Sequence, residues 1–206
     1  MVKLPQPPPP ADLERHEDDL RRVDSELLWR MHRTAGAHVV AWDQLRYFGP
    51  IDTMRFDPHD PPPHTQAKGV GYSALDLPTI LAEVFTQTRF INRTRGAPYL
   101  TGWVPTRQLT LLDLAGGWPI RNGASYTINT GRKDHCRAWA RAISDAWPNL
   151  DGLWHHSSLT GRPIVTLFAP GANSFPRAPS FSSPLSHPGL FPALQTAAGE
   201  INYHLG

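Results

Sequence analysis

The sequence predicts a single mixed domain, α/β or α+β in class, built on short strands. Three observations predict it: two segments with apolar residues at helical spacing, several apolar runs of strand length, and proline- or glycine-rich turn signals between them. A chain of 206 residues, 40% of them hydrophobic, is the size of one domain and rich enough to bury a core.

Taken in order, residues 1–12 are proline-rich, which predicts an extended, mobile tail. Residues 13–27 mix charges with Leu20, Val23, Leu27 and Leu28 at helical spacing, the pattern of a short amphipathic helix. Residues 57–68 hold prolines whose missing N–H groups oppose helix and central strand alike, so they are expected as a loop before a short strand at 69–74. Asp76-Leu77-Pro78 starts a helix, with proline tolerated in its first turn. Leu77, Ile80, Leu81, Val84 and Phe85 then mark one apolar face. Residues 99–104 and 108–114 read as strands. A second helix covers 133–147, with Cys136, Trp139, Ala140, Ile143 and Trp147 on one side. Pro148 and the 149–152 turn end it, and strands follow at 153–155 and 163–168. Beyond Gly171 proline and serine crowd the chain, with no regular element before 189–199.

Charge and cysteine usage exclude several classes. Twenty basic and eighteen acidic residues leave a net charge of +2, and the arginines are scattered rather than gathered in a nucleic-acid-binding stripe. The single Cys136 excludes an internal disulfide and a multi-cysteine metal cage, in keeping with a reducing cytoplasm. The proline-rich start is the opposite of a signal-peptide apolar region. No apolar run approaches the roughly 20 residues that span a bilayer. The chain reads as a soluble cytoplasmic protein.

Familiar motifs fail on their context. Gly69 to Ala74 match a relaxed dinucleotide fingerprint, but a proline-rich loop precedes them and no acid lies near 92–95. His59 and His64 flank prolines, and adjacent His155 and His156 in a strand diverge, so no metal site is expected. No serine sits in a nucleophile elbow.

What remains is a series in order: Trp29-Arg30; Arg55-Phe56-Asp57-Pro58; Tyr72-Ser73-Ala74; Glu83 in a helix; and Asp151-Gly152 with Ser157-Ser158, followed by Val165-Thr166-Leu167-Phe168. This series resembles the RES domain, named for an arginine, a glutamate and a serine, over residues 26–170. Residues 1–25 and 171–206 then stand as N- and C-terminal extensions. Carried over one by one, Arg30 matches the arginine after the aromatic, Arg55 the second arginine, Tyr72 the strand tyrosine, Glu83 the helix glutamate and Ser157 the late serine. Thr53-Met54 replace the family's glycine pair, and Ser158 competes with Ser157 for the last position.

The resemblance implies a fold similar to the ADP-ribosyltransferase toxins and consumption of NAD⁺ as substrate, by water or by inorganic phosphate as co-substrate, with no resident cofactor or metal. It also implies a toxin restrained by a cognate Xre-type helix-turn-helix antitoxin, as a homodimer within that complex. The residue types suit the chemistry. Neutral nicotinamide leaves from a cationic ring, so no acid is needed, and the ribose passes through an oxocarbenium-like state. Glu83 is expected to face that cation, Arg30 and Arg55 to grip phosphate oxygens, and Tyr72 to stack on the nicotinamide ring. Ser157 is expected to orient a phosphate, the amide or the nucleophile. Each residue also has a plain use, as a solvated helix glutamate, snorkelling arginine, core tyrosine or strand serine. Two other functions share the sequence: ADP-ribosyl transfer to a macromolecule, and non-catalytic binding through the proline-rich tails.

Overall fold

In the computed structural model, which describes residues 4–206, the chain forms β1 (Leu20–Val23), β2 (Leu28–Arg33), β3 (Arg46–Gly49), β4 (His64–Ala74), α1 (Leu77–Phe85) and β5 (Phe90–Ile91). It continues through β6 (Pro98–Trp103), β7 (Leu109–Asp113), α2 (Trp118–Arg121), α3 (Lys133–Ala146), β8 (Gly152–His156) and β9 (Pro163–Phe168). It ends with β10 (Phe181–Pro184), α4 (Phe191–Glu200) and β11 (His204–Leu205). A mixed nine-stranded sheet has the order β1-β7-β8-β9-β4-β2-β6-β10, with β3 as a further neighbour of β4. Its neighbours are antiparallel except β7 and β8. A small parallel pair, β5 with β11, stands apart.

The sheet is curled. Leu109 and Leu111 of β7 share one buried cluster with Leu28 of β2 and Trp103 of β6, together with Trp154, Val165 and Leu167. In a flat sheet β7 and β6 would lie about 24 Å apart, at ~4.8 Å per strand, so only a curled sheet can close this cluster on its concave face.

Helices cover the convex face. α3 presses Cys136, Trp139, Ala140 and Ile143 onto Phe56, Leu112, Leu153 and Phe168. α1 and α4 bury Ile80, Leu81, Phe85 and Leu194 against Ala74, Leu100 and Ile164. Asp76 caps α1 by accepting from the Thr79 N–H at 2.8 Å. Within α1 the buried face includes Thr79 and Ala82 and leaves Val84 exposed, a rotation from the apolar stripe of the sequence. α4 packs beside α1, so α1 is covered on two sides and small Ala82 fits beneath Tyr203.

Four expectations are corrected. Residues 13–27 are not a helix: residues 20–23 pair with 109–112, and that tertiary pairing outweighs local helical spacing. β4 begins at His64 rather than at 69, because its first half pairs with β3 once the prolines end. Of the expected tail 1–12, residues 1–3 lie outside the described residues, and residues 4–12 are docked along α3: Leu4 is buried, and the Trp139 indole donates to the Pro5 carbonyl at 2.9 Å. That carbonyl gives the buried indole N–H the acceptor it needs. Residues 171–206 also belong to the body of the domain, since β10 pairs with β6 and Leu185 and Leu194 are fully buried.

Asp151-Gly152 joins α3 to the sheet. The Asp151 carboxylate accepts from Arg107 at 2.8 and 2.7 Å and from the Thr110 N–H at 2.8 Å. Gly152 passes so close to β9 that a Cβ there would overlap the Thr166 carbonyl oxygen. The neighbouring atoms are backbone in the middle of the sheet and cannot swing away. Gly152→Ala is expected to cost about 3 kcal/mol or more in a urea titration. Gly161→Ala is the control. It has φ +71° but nothing within 4 Å of its Cβ, so its cost is the backbone term alone, about 1 kcal/mol.

Candidate functional site

On the convex face the α3 cluster and the α1–α4 cluster meet along a polar seam. Strand alternation sets its floor. Tyr72 is paired with Thr166 and Ala74 with Ile164, while Leu153 and His155 face the same two β9 residues from β8. His155 shares a 2.8 Å hydrogen bond with the Thr166 hydroxyl, and its ring lies 4.4 Å from that of Phe56. The floor is buried, with His155 4% exposed and Thr166 fully enclosed.

The turn after β8 brings in the serine. Ser157 Oγ donates to Glu83 Oε1 at 2.6 Å and accepts from the Leu159 and Thr160 N–H groups at 3.1 and 3.2 Å. The turn is closed by bonds from the Ser157 N–H to the Arg162 carbonyl and from the Gly161 N–H to the Ser157 carbonyl, at 2.8 and 2.9 Å. Thr160 also meets Thr79 of α1 at 2.9 Å. Glu83 is half-buried on the flank of α1, and its partner is held by backbone donors. The pair is therefore fixed in place by the turn on one side and by α1 on the other. A cleft of about 400 Å³ adjoins it, lined in part by Ala82, Leu159, Thr160, Arg162 and Tyr203.

The opposite wall is formed by residues 55–57 and the turn at 126–131. Arg55 donates to Ser158 Oγ at 3.0 Å and to the Gly131 carbonyl, so it ties three separate segments together. Ser157 and Ser158 thus face different partners, a carboxylate and a guanidinium. Tyr126 shares a 3.0 Å hydrogen bond with His156, whose N–H donates to Asn129 Oδ1 at 2.9 Å. The Tyr72 hydroxyl points to the same wall and donates to Asp57 Oδ1 at 2.7 Å.

The chain carries a further signature. The family profile for the RES domain matches residues 27–186. This chain belongs to the RES domain family. Its fold is similar to a chain of the solved structure "Crystal structure of the M.tuberculosis MbcT-MbcA toxin-antitoxin complex", with a TM-score of 0.54 at 18% identity, covering 85% of this chain and 92% of that one. No curated protein sequence matches it.

Of the five residues carried over from the RES pattern, the structure joins Glu83 to Ser157 and sets Tyr72 and Arg55 at the same seam. Arg30 is elsewhere. Trp29 turns outward to the convex-face cluster, so strand alternation turns Arg30 inward with Leu28. Its guanidinium donates to the Gln44 carbonyl at 2.7 Å and lies over the Phe175 ring at 5.9 Å. A Cβ on Gly71 would come within 3.3 Å of it. Burial lowers the Arg30 pKa to about 10, with Asp43 opposing the shift. The expectation of one pocket shared by Arg30, Tyr72 and Glu83 is not met at Arg30, because neighbouring strand residues cannot serve the same face. The polar residues to which sequence reasoning gave no role at the site are Asp57, Thr166 and His155, the last weighed only as a metal ligand. Asp57 stood inside the Arg55–Pro58 motif and Thr166 inside the Val165–Phe168 segment, but neither was given a role.

Burial also sets the charge of the floor. His155 has no carboxylate partner, and desolvation drops its pKa to about 3, so the ring is neutral. An unfolded histidine titrates near 6.5. The unfolded chain therefore takes up a proton as pH falls below about 6.5, while the folded one resists until about 3. The stability present above that window is lost through it. Between pH 7 and 4 urea titrations are expected to show a loss from this residue of about 3 kcal/mol. His155→Gln is expected to remove that share of the pH dependence.

Proposed function

We propose that this chain is the toxin of a toxin–antitoxin pair and that it breaks the nicotinamide–ribose bond of NAD⁺. The observation that carries this reading is the fixed Ser157–Glu83 pair at a seam lined by Tyr72 and Arg55, in a chain of the RES family. The similarity of fold to a chain of a toxin–antitoxin complex supports the toxin role. In this reading its partner is a cognate antitoxin of the Xre helix-turn-helix type and its place of action is the cytoplasm.

The chemistry follows from the charges. As nicotinamide departs, positive charge develops on the ribose, and Glu83 supplies a fixed anion beside it. Ser157 holds one carboxylate oxygen and leaves the other to meet a ribose hydroxyl or the cation. Because Ser157 is itself anchored by two backbone N–H groups, little reorganisation is needed during reaction. Arg55 is the guanidinium at the seam for phosphate oxygens. Arg30, on the concave face, acts as a brace that holds residue 44 against β2.

Incubation of the purified protein with NAD⁺, with and without inorganic phosphate, is expected to release nicotinamide. Glu83→Gln keeps the shape and removes the charge, and should lower the rate about 10²- to 10³-fold. No release under either condition, or full activity in Glu83→Gln, would sink the reading. ADP-ribose bearing a new phosphate on the anomeric carbon that loses nicotinamide would identify phosphate as the acceptor, free ADP-ribose would identify water, and label retained on a macromolecule would replace cleavage by ADP-ribosyl transfer.

A further inference from the structure

We infer that Asp57 is a positioning residue, which clamps the Tyr72 hydroxyl so that this tyrosine serves the seam through its ring. The inference rests on the reading of the seam as the NAD⁺ site.

Asp57 is fully buried and makes three strong contacts. Its Oδ1 accepts from the Tyr72 hydroxyl at 2.7 Å and from Arg46 Nη2 at 2.6 Å, and its Oδ2 accepts from the Ile51 N–H at 2.9 Å. One carboxylate therefore ties β4 to β3 and to the 51–57 loop. A buried carboxylate is costly unless its lone pairs are met and its charge is balanced. Both conditions hold here. Arg46 supplies the balancing charge, and His59, whose Nδ1 is 3.9 Å from Oδ2, is driven toward the neutral form by burial. Nothing in that balance requires a tyrosine. Arg46 and Ile51 would satisfy the carboxylate without it.

The consequence falls on Tyr72. Its only hydrogen atom on oxygen is committed to Asp57, and burial with the neighbouring anion pushes the phenol well above its ordinary value, so it remains a donor. A group so held cannot give its proton to a substrate. The ring, half-buried against the cluster beneath α3, is what Tyr72 can offer the seam. Asp57 fixes where that ring stands, and an aromatic platform depends on such alignment.

Steady-state NAD⁺ cleavage by D57N, D57A, Y72F, Y72A and the D57A/Y72F pair tests this, with thermal melts to confirm folding. D57A and Y72F are each expected to lower kcat/KM about tenfold, and the double variant no further, because both remove the same bond. D57N retains an acceptor at Oδ1 and is expected to recover most of the loss. Y72A removes the ring and should fall about another tenfold or more. Losses that multiply in the double variant, or Y72F as impaired as Y72A, would overturn the inference. Should D57A not fold, D57N against Y72F carries the comparison. A second readout does not depend on NAD⁺: in protein labelled with ¹³Cζ-tyrosine, the resonance lost in Y72F should shift in D57N, and an unmoved resonance rejects the clamp. If wild-type protein releases no nicotinamide while that resonance shifts, the reading of the seam fails and the clamp stands.

Discussion

β4 divides one of its edges between two strands. At its C-terminal end Ala74 pairs with Trp29 of β2, while Val70, Thr65 and His64 pair with β3. Its other edge lies along β9 for five residues. Once β2 has left β4, it turns with β6 and β10 toward the concave cluster, and the 41–46 segment fills the fork it leaves. Gly71 permits this, since a side chain there would collide with Leu45 and crowd Arg30. The curl, the buried guanidinium and the position of the seam all follow from the way this one strand is shared.

The polar groups inside the fold are held by the same economy of partners. Asp57 accepts from Arg46, Ile51 and Tyr72, Asp151 accepts from Arg107 and Thr110, and Ser157 accepts from its own turn while donating to Glu83. Such groups are expensive to bury singly and become stable only when each lone pair has a donor. The Arg107–Asp151 contact is bidentate with the carboxylate almost enclosed, the geometry in which an ion pair fixes register most firmly. His155 is the contrasting case: without an anion beside it, burial leaves it neutral and bonded to Thr166.

The seam is assembled from elements that are far apart in the chain. Glu83 comes from a helix, Ser157 from the turn that leaves β8, Tyr72 from mid-strand and Arg55 from an irregular loop. None is placed by its immediate neighbours alone. Ser157 is directed by turn N–H groups, Tyr72 by Asp57, and Arg55 by the Gly131 carbonyl and Ser158. Each side chain is held by a second group, which limits its movement.

The sequence by itself determined the mixed class, α1 with its Asp76 cap, α3 with its tryptophan-bearing face, the strands near 99–113 and 153–168, and the ordered series that marks the RES family. Those features are local: helical spacing, capping and turn residues act within a few positions, and a motif needs only order. Tertiary structure alone decided the rest. Residues 20–23 became a strand because β7 offered an edge, and residues 4–12 lie along α3, where the buried Trp139 indole finds its acceptor. Arg30 went to the concave face because Trp29 had already claimed the convex one. Asp57 and Thr166 lie within the ordered segments, but what defines each is the partner that arrives from another part of the chain.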